Sequence, residues 1–380
     1  MKILADENIP KARALFSAFG EVKTHQGRDL NPAALEDADV LLVRSVTNVN
    51  EQLLANSNVK FVGTSTIGTD HVDTEFLKAN SIGFANAPGC NAIAVAEYIM
   101  SGLFVISTEY YLDLRTSKVG IIGAGNVGSA LSTRLSILGI PHVLYDPPLQ
   151  AIGDSRDLVD FEELSYCDII TCHVPLTRPE QSKWPTHHMV NAEFLSKMSS
   201  MNYFINSSRG SVVNTPDLLD WLNQSDEHQA INDVWENEPA IDARLLERSL
   251  IATPHIAGHS YEGKVRGTIR LYQAFCKHFK LDCNLDTNGL LTDNLPKDVI
   301  KLQQELNYMQ AMSSALWKVY NIRDDDKALR AGLKKNDMTA HFDRLRRGYK
   351  IRRECTAHRL DEVSAPDGAL KTLKQLGFRV

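Results

Sequence analysis

The first part of the chain alternates between short apolar runs and segments whose apolar residues recur every three or four positions. Apolar runs of strand length, bounded by glycine or polar residues, predict strands at residues 2–5, 40–44, 59–64 and 82–85. The recurring pattern predicts helices at residues 10–19, 50–55 and 72–79. Strands that alternate with helices in this way are typical of a parallel sheet with helices on both faces.

A long and mostly buried helix is predicted at residues 91–108, and a second alternating series follows it. Its strands are predicted at residues 118–122, 142–145, 168–174, 203–206, 230–234 and 250–253, with helices at 126–138 and 261–279. The predicted fold class is therefore α/β, with two doubly wound parallel-sheet (Rossmann-like) domains. Ligands of such sheets bind beyond the carboxyl ends of the strands, so we expect an enzyme with its site in a cleft.

The alternation weakens after residue 283. Residues 284–296 are rich in Asn, Asp, Leu and Thr and are interpreted as a linker, and residues 301–319 are predicted to form a helix. The three aspartates at residues 324–326 predict a solvated helix N-terminus or turn. We expect a smaller C-terminal α+β domain beyond the linker.

Charge distinguishes this C-terminal segment from the rest of the chain. The 380 residues carry 41 Lys and Arg against 47 Asp and Glu, a net charge of −6. Residues 291–380 hold 18 basic and 12 acidic residues, which leaves 23 basic and 35 acidic residues in 1–290. The whole chain is therefore not expected to bind nucleic acid, and the C-terminal segment is expected to have a role of its own.

Composition excludes several other classes. No uninterrupted apolar stretch reaches the ~18 residues of a membrane span, and the N-terminus turns acidic at Asp6 and Glu7, unlike a signal peptide. Six cysteines without a CxxC pair predict neither a disulfide framework nor a metal site. We expect a reduced, cytoplasmic protein with no bound metal and no membrane partner.

A glycine-rich turn follows the predicted strand at 118–122 and opens the predicted helix at 126–138. Its residues are Gly123, Ala124, Gly125, Asn126, Val127 and Gly128, which match GxGxxG. The glycines allow a tight turn, close approach of a pyrophosphate and packing of the helix on the strand. Asp146 lies 18 residues after Gly128, where a carboxylate would accept hydrogen bonds from ribose hydroxyls and repel a 2′-phosphate. The sequence therefore predicts a site for NAD rather than NADP.

Three residues that hydride-transfer chemistry needs follow successive predicted strands. Arg209 offers a planar fork of donors for a substrate carboxylate and carbonyl. His255 can take the proton from a hydroxyl as hydride leaves the same carbon. Glu238 can hydrogen-bond the other imidazole nitrogen and orient the ring. Each alone is typical of a loop residue, but their coincidence in a nucleotide-binding unit predicts a catalytic set.

These motifs resemble the D-2-hydroxyacid dehydrogenase family, over about residues 1–285 and in order. Strings such as Met1–Asn8, Thr69–Asp73 and Ala87–Ala92 also resemble a branch that oxidises a phosphorylated 2-hydroxy acid at C2. The resemblance implies a discontinuous substrate-binding domain at 1–93 and 257–285, an NAD-binding domain at 94–256 and a C-terminal dimerisation domain at 286–380. It also implies that Arg209, Glu238 and His255 are catalytic.

The resemblance further assigns residues to the two ligands. Besides the glycine-rich turn and Asp146, the NAD site is expected to include Val174, Ser207, Ser208, Arg209, Asp233 and Gly258. Ser45 and Thr66 are expected to contact substrate. Close relatives carry a tyrosine where this chain has His259, which could still donate a hydrogen bond to substrate. For the substrate phosphate we predict Arg44, although a strand-end arginine in a surface ion pair is the alternative.

The basic stretch at residues 341–353 has interleaved aromatic residues. The resemblance implies that it belongs to a dimerisation domain, the alternative being nucleic-acid binding. A further hypothesis is that an arginine of this stretch reaches the partner's phosphate site or stabilises the interface. Two other functions stay open. The enzyme could act on another 2-hydroxy acid, such as 3-phosphoglycerate, or the chain could be a non-catalytic NAD-sensing module on the same fold.

Overall fold

A computed structural model describes residues 1–283, 288–334, 337–366 and 368–380. Its contacts divide the chain into two compact units, one made of Met1–Asn91 and Ser260–Leu295, the other of Ala92–His259 and Pro296–Val380. The residues at the predicted 285/286 boundary lie outside the described residues. The division into three domains stays a prediction.

Short strands alternate with helices along most of the chain. The strands are β1 Lys2–Asp6, β2 Glu21–His25, β3 Val40–Val43, β4 Phe61–Thr64, β5 Gly83–Ala85, β6 Val119–Ile122, β7 His142–Tyr145, β8 Ile169–Cys172, β9 Tyr203–Asn206, β10 Gln229–Asn232, β11 Ile251–Ala252, β12 Val299–Ile300 and β13 Arg359–Leu360. The α-helices are α1 Ala12–Phe16, α2 Glu51–Leu54, α3 Thr74–Ala79, α4 Ala92–Glu109, α5 Asn126–Leu138, α6 Pro147–Ala151, α7 Phe161–Ser165, α8 Ala192–Lys197, α9 Thr215–Gln224, α10 Ala243–Arg248, α11 Tyr261–Phe279, α12 Tyr308–Val319, α13 Ile322–Arg330, α14 Met338–Arg347 and α15 Ala369–Gln375. Short 3-10 helices span Ser17–Phe19, Gly27–Asp29, Pro32–Leu35, Gly210–Val212, Asn288–Leu291, Cys355–Ala357 and Glu362–Ser364.

The first unit is a parallel five-stranded sheet in the order β2-β1-β3-β4-β5. Its strands consist largely of β-branched and other apolar residues because helices cover both faces. One face packs against α1 and α11, where the buried Phe16 and Phe275 rings meet edge to face at 5.3 Å. Leu41 and Leu77 belong to the core on the other face. The strand order reverses between β1 and β3, which is where such sheets bind ligands.

The second unit contains a parallel six-stranded sheet in the order β11-β10-β9-β8-β6-β7. Its order reverses between β6 and β8, so the carboxyl ends of these two strands mark the expected ligand position. The two parallel sheets and the alternating helices confirm the predicted α/β fold class.

Helix α4 is the central helix of the second unit. By length and composition it could span a membrane, but most of it is buried inside this unit. Its Tyr98, Ile99 and Leu103 lie in one apolar core with strands β6 and β9. A helix that is apolar on all sides is typical of such a core position.

The C-terminal residues pack on this same core. Ile300, Leu316 and Phe378 share a hydrophobic cluster with α4. Strands β12 and β13 pair in parallel, and the same segment contains helices α12 to α15. The mixture of helices and a small sheet agrees with the predicted α+β segment.

Several sequence predictions were wrong in detail. Strand β2 was not predicted, because its Lys23 and Thr24 interrupt the apolar run of an edge strand. The helix predicted at 301–319 begins only at Tyr308, where the side chain of Asn307 caps it. The aspartates at 324–326 lie at the N-terminus of α13 as predicted, but they are not all solvated, since Asp325 is buried and accepts hydrogen bonds from two tyrosine hydroxyls.

Candidate active site

The glycine-rich turn leaves β6 and enters α5 in the second unit. Gly123 has φ +94°, a conformation that side chains with a Cβ rarely adopt. A Cβ on Gly128 would lie 2.1 Å from the Gly123 carbonyl oxygen, whereas a Cβ on Gly125 would meet nothing within 4 Å. Gly128 therefore allows the helix to pack on the turn, and the space beside Gly125 is open to a pyrophosphate. Asn126 and Val127 form the first turn of α5, whose amides favour negative charge.

Asp146 follows β7 and connects the end of that strand to the glycine-rich turn. Its Oδ2 accepts a hydrogen bond from the Ala124 amide at 2.9 Å, and its Oδ1 caps α6 by accepting from the Leu149 amide at 3.0 Å. Each carboxylate oxygen can accept a further bond, so Asp146 keeps the capacity to bind ribose hydroxyls. The residues present therefore fit a dinucleotide at this turn.

Arg156 adds a cation beside the same turn, and the sequence interpretation missed it. It donates to the Ala124 carbonyl and to the Ser129 hydroxyl, both at 2.7 Å, and pairs with Asp154 at 2.8 Å. These bonds connect the Arg156 guanidinium to the turn and to α5.

The end of β8 lies beside the glycine-rich turn, as the strand order requires. A Cβ on Gly123 would approach the Val174 side chain to 3.0 Å. His173, another residue that the sequence interpretation missed, contacts the Thr171 hydroxyl at 3.0 Å and the Ser207 hydroxyl at 3.3 Å. Burial lowers the pKa of His173 to about 3, so the ring is neutral at physiological pH. It links the ends of β8 and β9 without adding charge.

The turn after β9 carries Arg209. The Ser208 hydroxyl donates to the Asn206 side chain at 2.8 Å, and Arg209 Nη1 donates to the Ser208 carbonyl at 2.8 Å. Gly210 is required at the next position, because a Cβ there would lie 1.9 Å from the Trp235 carbonyl oxygen. This close approach brings the Arg209 turn against the loop that carries Glu238.

Glu238 and His255 form a hydrogen-bonded pair. Glu238 Oε2 lies 2.7 Å from His255 Nδ1, and Glu238 Oε1 accepts from the Trp235 amide at 2.9 Å. Burial alone would raise the pKa of Glu238, but the His255 charge and hydrogen bond, the Trp235 amide and the charge of Arg346 together lower it. The carboxylate is therefore ionised at neutral pH. With Nδ1 held by Glu238, His255 Nε2 is left to serve as acid or base.

His255 stands on a strained loop. Its φ is +56°, which is uncommon for a residue with a Cβ and persists only where surrounding structure enforces it. Asp233 supplies that enforcement: its carboxylate accepts from the Thr253 hydroxyl at 2.6 Å and from the Ile256 and Ala257 amides at 2.8 and 2.9 Å. Burial raises the pKa of Asp233. A role of Asp233 in contacting NAD stays a prediction.

Three contacts join the C-terminal residues to the two loops that carry Glu238 and His255. Arg346 Nη1 lies 3.8 Å from Glu238 Oε2. The Tyr349 ring packs edge-on against the His259 ring, with centroids 5.6 Å apart. Arg352 donates to the Ala257 carbonyl at 3.1 Å. Gly258, predicted to line the NAD site, lies in this segment between Ala257 and His259.

The predicted substrate residues Arg44, Ser45 and Thr66 lie in the first unit. Arg44 and Ser45 directly follow β3, at the point where the strand order of this sheet reverses, and Ser45 is exposed. The Thr66 hydroxyl contacts the Thr64 hydroxyl at 2.8 Å and the Gly68 carbonyl at 2.9 Å. These bonds fix the loop that follows β4.

Lys264 is a second cation of the first unit that the sequence interpretation missed. It lies in the first turn of α11, three residues before Gly267, where a Cβ would lie 2.7 Å from the Ser65 hydroxyl. Residues three apart share a helix face, so Lys264 lies on the side that packs on the Ser65–Thr66 loop. Burial, and then the nearby charge of Arg44, lower the pKa of Lys264 to about 8.

No group of three or more His, Cys, Asp or Glu side chains is arranged to hold a metal ion in the part of the chain that the structure describes. The structure thus brings Arg209, Glu238, His255, Asp233, Val174 and the glycine-rich turn to one end of the second sheet, and Arg44, Ser45 and Thr66 to one end of the first.

Comparison with known proteins agrees with this arrangement. A family model described as D-isomer specific 2-hydroxyacid dehydrogenase, NAD binding domain, matches residues 92–257, and a domain of unknown function (DUF3410) matches residues 291–377. The chain is 43% identical to erythronate-4-phosphate dehydrogenase of Proteus mirabilis, covering 100% of this chain and 99% of that one. It is 42% identical to the enzyme of the same name from Escherichia coli, with coverage of 100% and 98%. NAD-bound 3-phosphoglycerate dehydrogenase of Entamoeba histolytica shares the fold, with a TM-score of 0.61 at 24% identity over 74% of this chain and 95% of that one.

Proposed function

Because this chain belongs to the erythronate-4-phosphate dehydrogenase family of D-isomer specific 2-hydroxyacid dehydrogenases, we propose that it oxidises 4-phospho-D-erythronate at C2. The hydride acceptor is NAD, and the product is 2-oxo-3-hydroxy-4-phosphobutanoate. The reaction belongs to the biosynthesis of pyridoxal 5′-phosphate. The observation that carries the proposal is the 2.7 Å pair of Glu238 and His255 on the loop packed against the Arg209 turn.

His255 is the general base of the proposed reaction. Its Nε2 accepts the proton of the C2 hydroxyl as the C2 hydride leaves, while its Nδ1–H donates to Glu238. The ionised Glu238 stabilises the imidazolium that forms, because an opposite charge in contact favours the protonated ring. Bound NAD supplies the electrophilic nicotinamide that receives the hydride.

Arg209 is proposed to bind the C1 carboxylate and the developing C2 carbonyl. Its guanidinium presents paired donors whose geometry matches a carboxylate. The donors polarise the C–O bond as it gains double-bond character, so the interaction strengthens towards the transition state.

The substrate phosphate needs cations, and the first unit offers two that lie near each other. We propose that Arg44 and Lys264 bind the phosphate, Lys264 becoming fully protonated when the dianion binds. Supporting this is the lowered pKa of Lys264, which reflects its burial and the nearby charge of Arg44. Lys264→Met is expected to raise KM at least about tenfold with little change in kcat, in line with the loss of a charged hydrogen bond. Lys277→Met, an exposed position on the same helix, is the control.

We also propose a homodimer formed through the C-terminal segment, and a cytoplasmic location. Support for the dimer comes from large apolar side chains of this segment that are exposed in the single chain, among them Ile351 and Val363 at 80% and 81% exposure. Light scattering after size exclusion should give twice the chain mass. Ile351→Glu should reduce it towards one chain if this surface is the interface.

One assay separates the proposed function from its alternatives. Purified protein is incubated with NAD and with 4-phospho-D-erythronate, 3-phosphoglycerate or an unphosphorylated 2-hydroxy acid, and NADH absorbance is followed. The proposed function requires the highest kcat/KM for 4-phospho-D-erythronate. A preference for 3-phosphoglycerate would assign another dehydrogenase, and NAD binding without turnover of any substrate would assign a sensing module.

A further inference from the structure

An arginine of the C-terminal segment shares a carboxylate oxygen with the catalytic histidine. Arg346 Nη1 lies 3.8 Å from Glu238 Oε2, and the same oxygen lies 2.7 Å from His255 Nδ1. The Glu238 carboxylate therefore faces two cations whenever His255 is protonated. Sequence position gave no sign of this contact, because Arg346 belongs to the segment outside the predicted nucleotide-binding domain.

The fold holds Arg346 in place. It lies on α14, one turn after the fully buried Phe342, and its guanidinium lies 6.0 Å from the centroid of that ring. Its side chain is 28% exposed, and its buried Nε has no hydrogen-bond partner within the described ranges. The next residue, Arg347, is more exposed and already has an ionic partner: its side chain is 61% exposed and lies 3.4 Å from Asp343.

Other charged groups near His255 have hydrogen-bond partners of their own. Asp233 accepts the amides of Ile256 and Ala257, and the His255 amide donates to the Asp233 carbonyl at 2.7 Å. On the neighbouring elements, Arg209 follows the end of β9 and the Tyr349 hydroxyl donates to Asp325 at 2.6 Å. Arg346, with Nη1 3.8 Å from Glu238 Oε2, is a cation of the C-terminal segment beside the carboxylate that orients His255.

We propose that Arg346 is a positioning residue of the catalytic pair, which keeps Glu238 ionised and offsets its charge so that His255 stays neutral and ready to accept the substrate proton. The inference rests on the proposed function, since it concerns the base of that reaction. Without the guanidinium, Glu238 would still orient the imidazole, but its whole charge would favour the protonated ring. Oxidation would then need a higher pH, whereas reduction of the 2-oxo acid would extend to higher pH.

Arg346→Met tests this, because methionine keeps most of the side-chain volume and removes the charge. We expect the acidic limb of the kcat/KM profile for oxidation to move to higher pH by about 0.5–1 unit. A shift of this size is what removing a charge several Å away produces at an intermediate dielectric constant. The basic limb for reduction should move in the same direction. Arg346→Lys should stay closer to wild type, and Arg347→Met, the matched control, should leave both limbs in place.

A merely structural role would lower both rates equally at every pH and leave the limbs fixed, and that result would overturn the inference. So would a Lys variant with the same shift as the Met variant. Thermal unfolding identifies a variant that fails to fold. Titration of the His255 imidazole by NMR, compared between wild type and Arg346→Met without substrate, keeps the test independent of turnover. If wild type acts on no 2-hydroxy acid, the proposed function fails while this titration still decides the inference.

Discussion

Two His–Glu pairs lie on neighbouring loops of the second unit, with similar contacts but different surroundings. His255 Nδ1 lies 2.7 Å from Glu238, and His188 Nε2 lies 2.6 Å from Glu236, two residues earlier on the same loop. In both pairs, hydrogen bonding to the histidine helps lower the pKa of a carboxyl whose burial would raise it. Distance and charge alone therefore do not identify the catalytic pair.

Their surroundings separate them. The second oxygen of Glu236 accepts the Thr215 amide at 3.0 Å at the start of α9, and the His188 ring stacks on His187 with centroids 4.0 Å apart. The His188–Glu236 pair therefore connects the loop that carries Glu236 to the start of α9. Both histidines have a positive φ, +51° at His188 and +56° at His255, but Glu238 also faces Arg346, and His255 follows the carboxyl end of β11. A His–Glu pair becomes acid–base machinery when it lies at the carboxyl end of the sheet, beside the other reacting groups.

The largest difference should appear when the two histidines are replaced. We expect His255→Asn to lower kcat at least ~100-fold, because the proton of the C2 hydroxyl loses its acceptor. His188→Asn should stay within about twofold of wild type. Steady-state rates of NADH formation, with circular dichroism to check folding, make the measurement. Equal losses in the two variants would remove the distinction between the pairs.

Replacing the two glutamates should give a smaller contrast. Glu238→Gln preserves shape and one hydrogen bond to His255 but removes the charge that stabilises the imidazolium, so kcat is expected to fall roughly tenfold to a hundredfold. Glu236→Gln should leave kcat and KM within about twofold. A Glu238→Gln enzyme with the wild-type rate and pH profile would show that orientation, rather than charge, is what Glu238 contributes.

The smallest effect concerns stability and belongs to Glu236. Its pKa is lowered in the folded chain, so its contribution is present above the unfolded value near 4.3 and is lost as pH falls through the folded value. Glu236→Gln should therefore lower the free energy of unfolding by about 1–2 kcal/mol at pH 7. The gap should narrow as pH falls below the unfolded value, and it should close once the pH has passed the lower folded value. Urea unfolding of both proteins at pH 7 and 3.5 measures it, and a gap independent of pH would point to packing instead of charge.

The parts of the site that depend on neighbouring residues along the chain could be predicted from the sequence. Gly123–Gly128 and Asp146 belong to one strand–helix–strand unit, and Arg209 and His255 each follow a strand closely, so local pattern located them. Arg346 and Lys264 could not be found in this way. Their neighbours in space, Glu238 and Arg44, lie far along the chain, and packing of whole elements brings them together.

The same limit explains the errors in the fold. Strand β2 is an edge strand whose solvent face is polar, so it lacks the apolar run that revealed the buried strands. Asp325 resembles a solvated residue in sequence, and only the folded chain supplies the Tyr320 and Tyr349 hydroxyls that satisfy it. Composition predicts burial poorly wherever a polar group finds its partners through tertiary structure.

Both compact units are built from two separated stretches of chain, and this imposes an order in time on their synthesis. The first sheet is complete at Ala85, yet one face waits for Phe275 of α11, roughly 10–40 seconds later at the usual pace of translation. The second core waits for Phe378, which is made after every strand of its six-stranded sheet. Neither unit can complete its hydrophobic core until the ribosome has made the second of its two stretches. A premature stop before Ala369 would therefore remove part of the hydrophobic core of the nucleotide-binding unit itself.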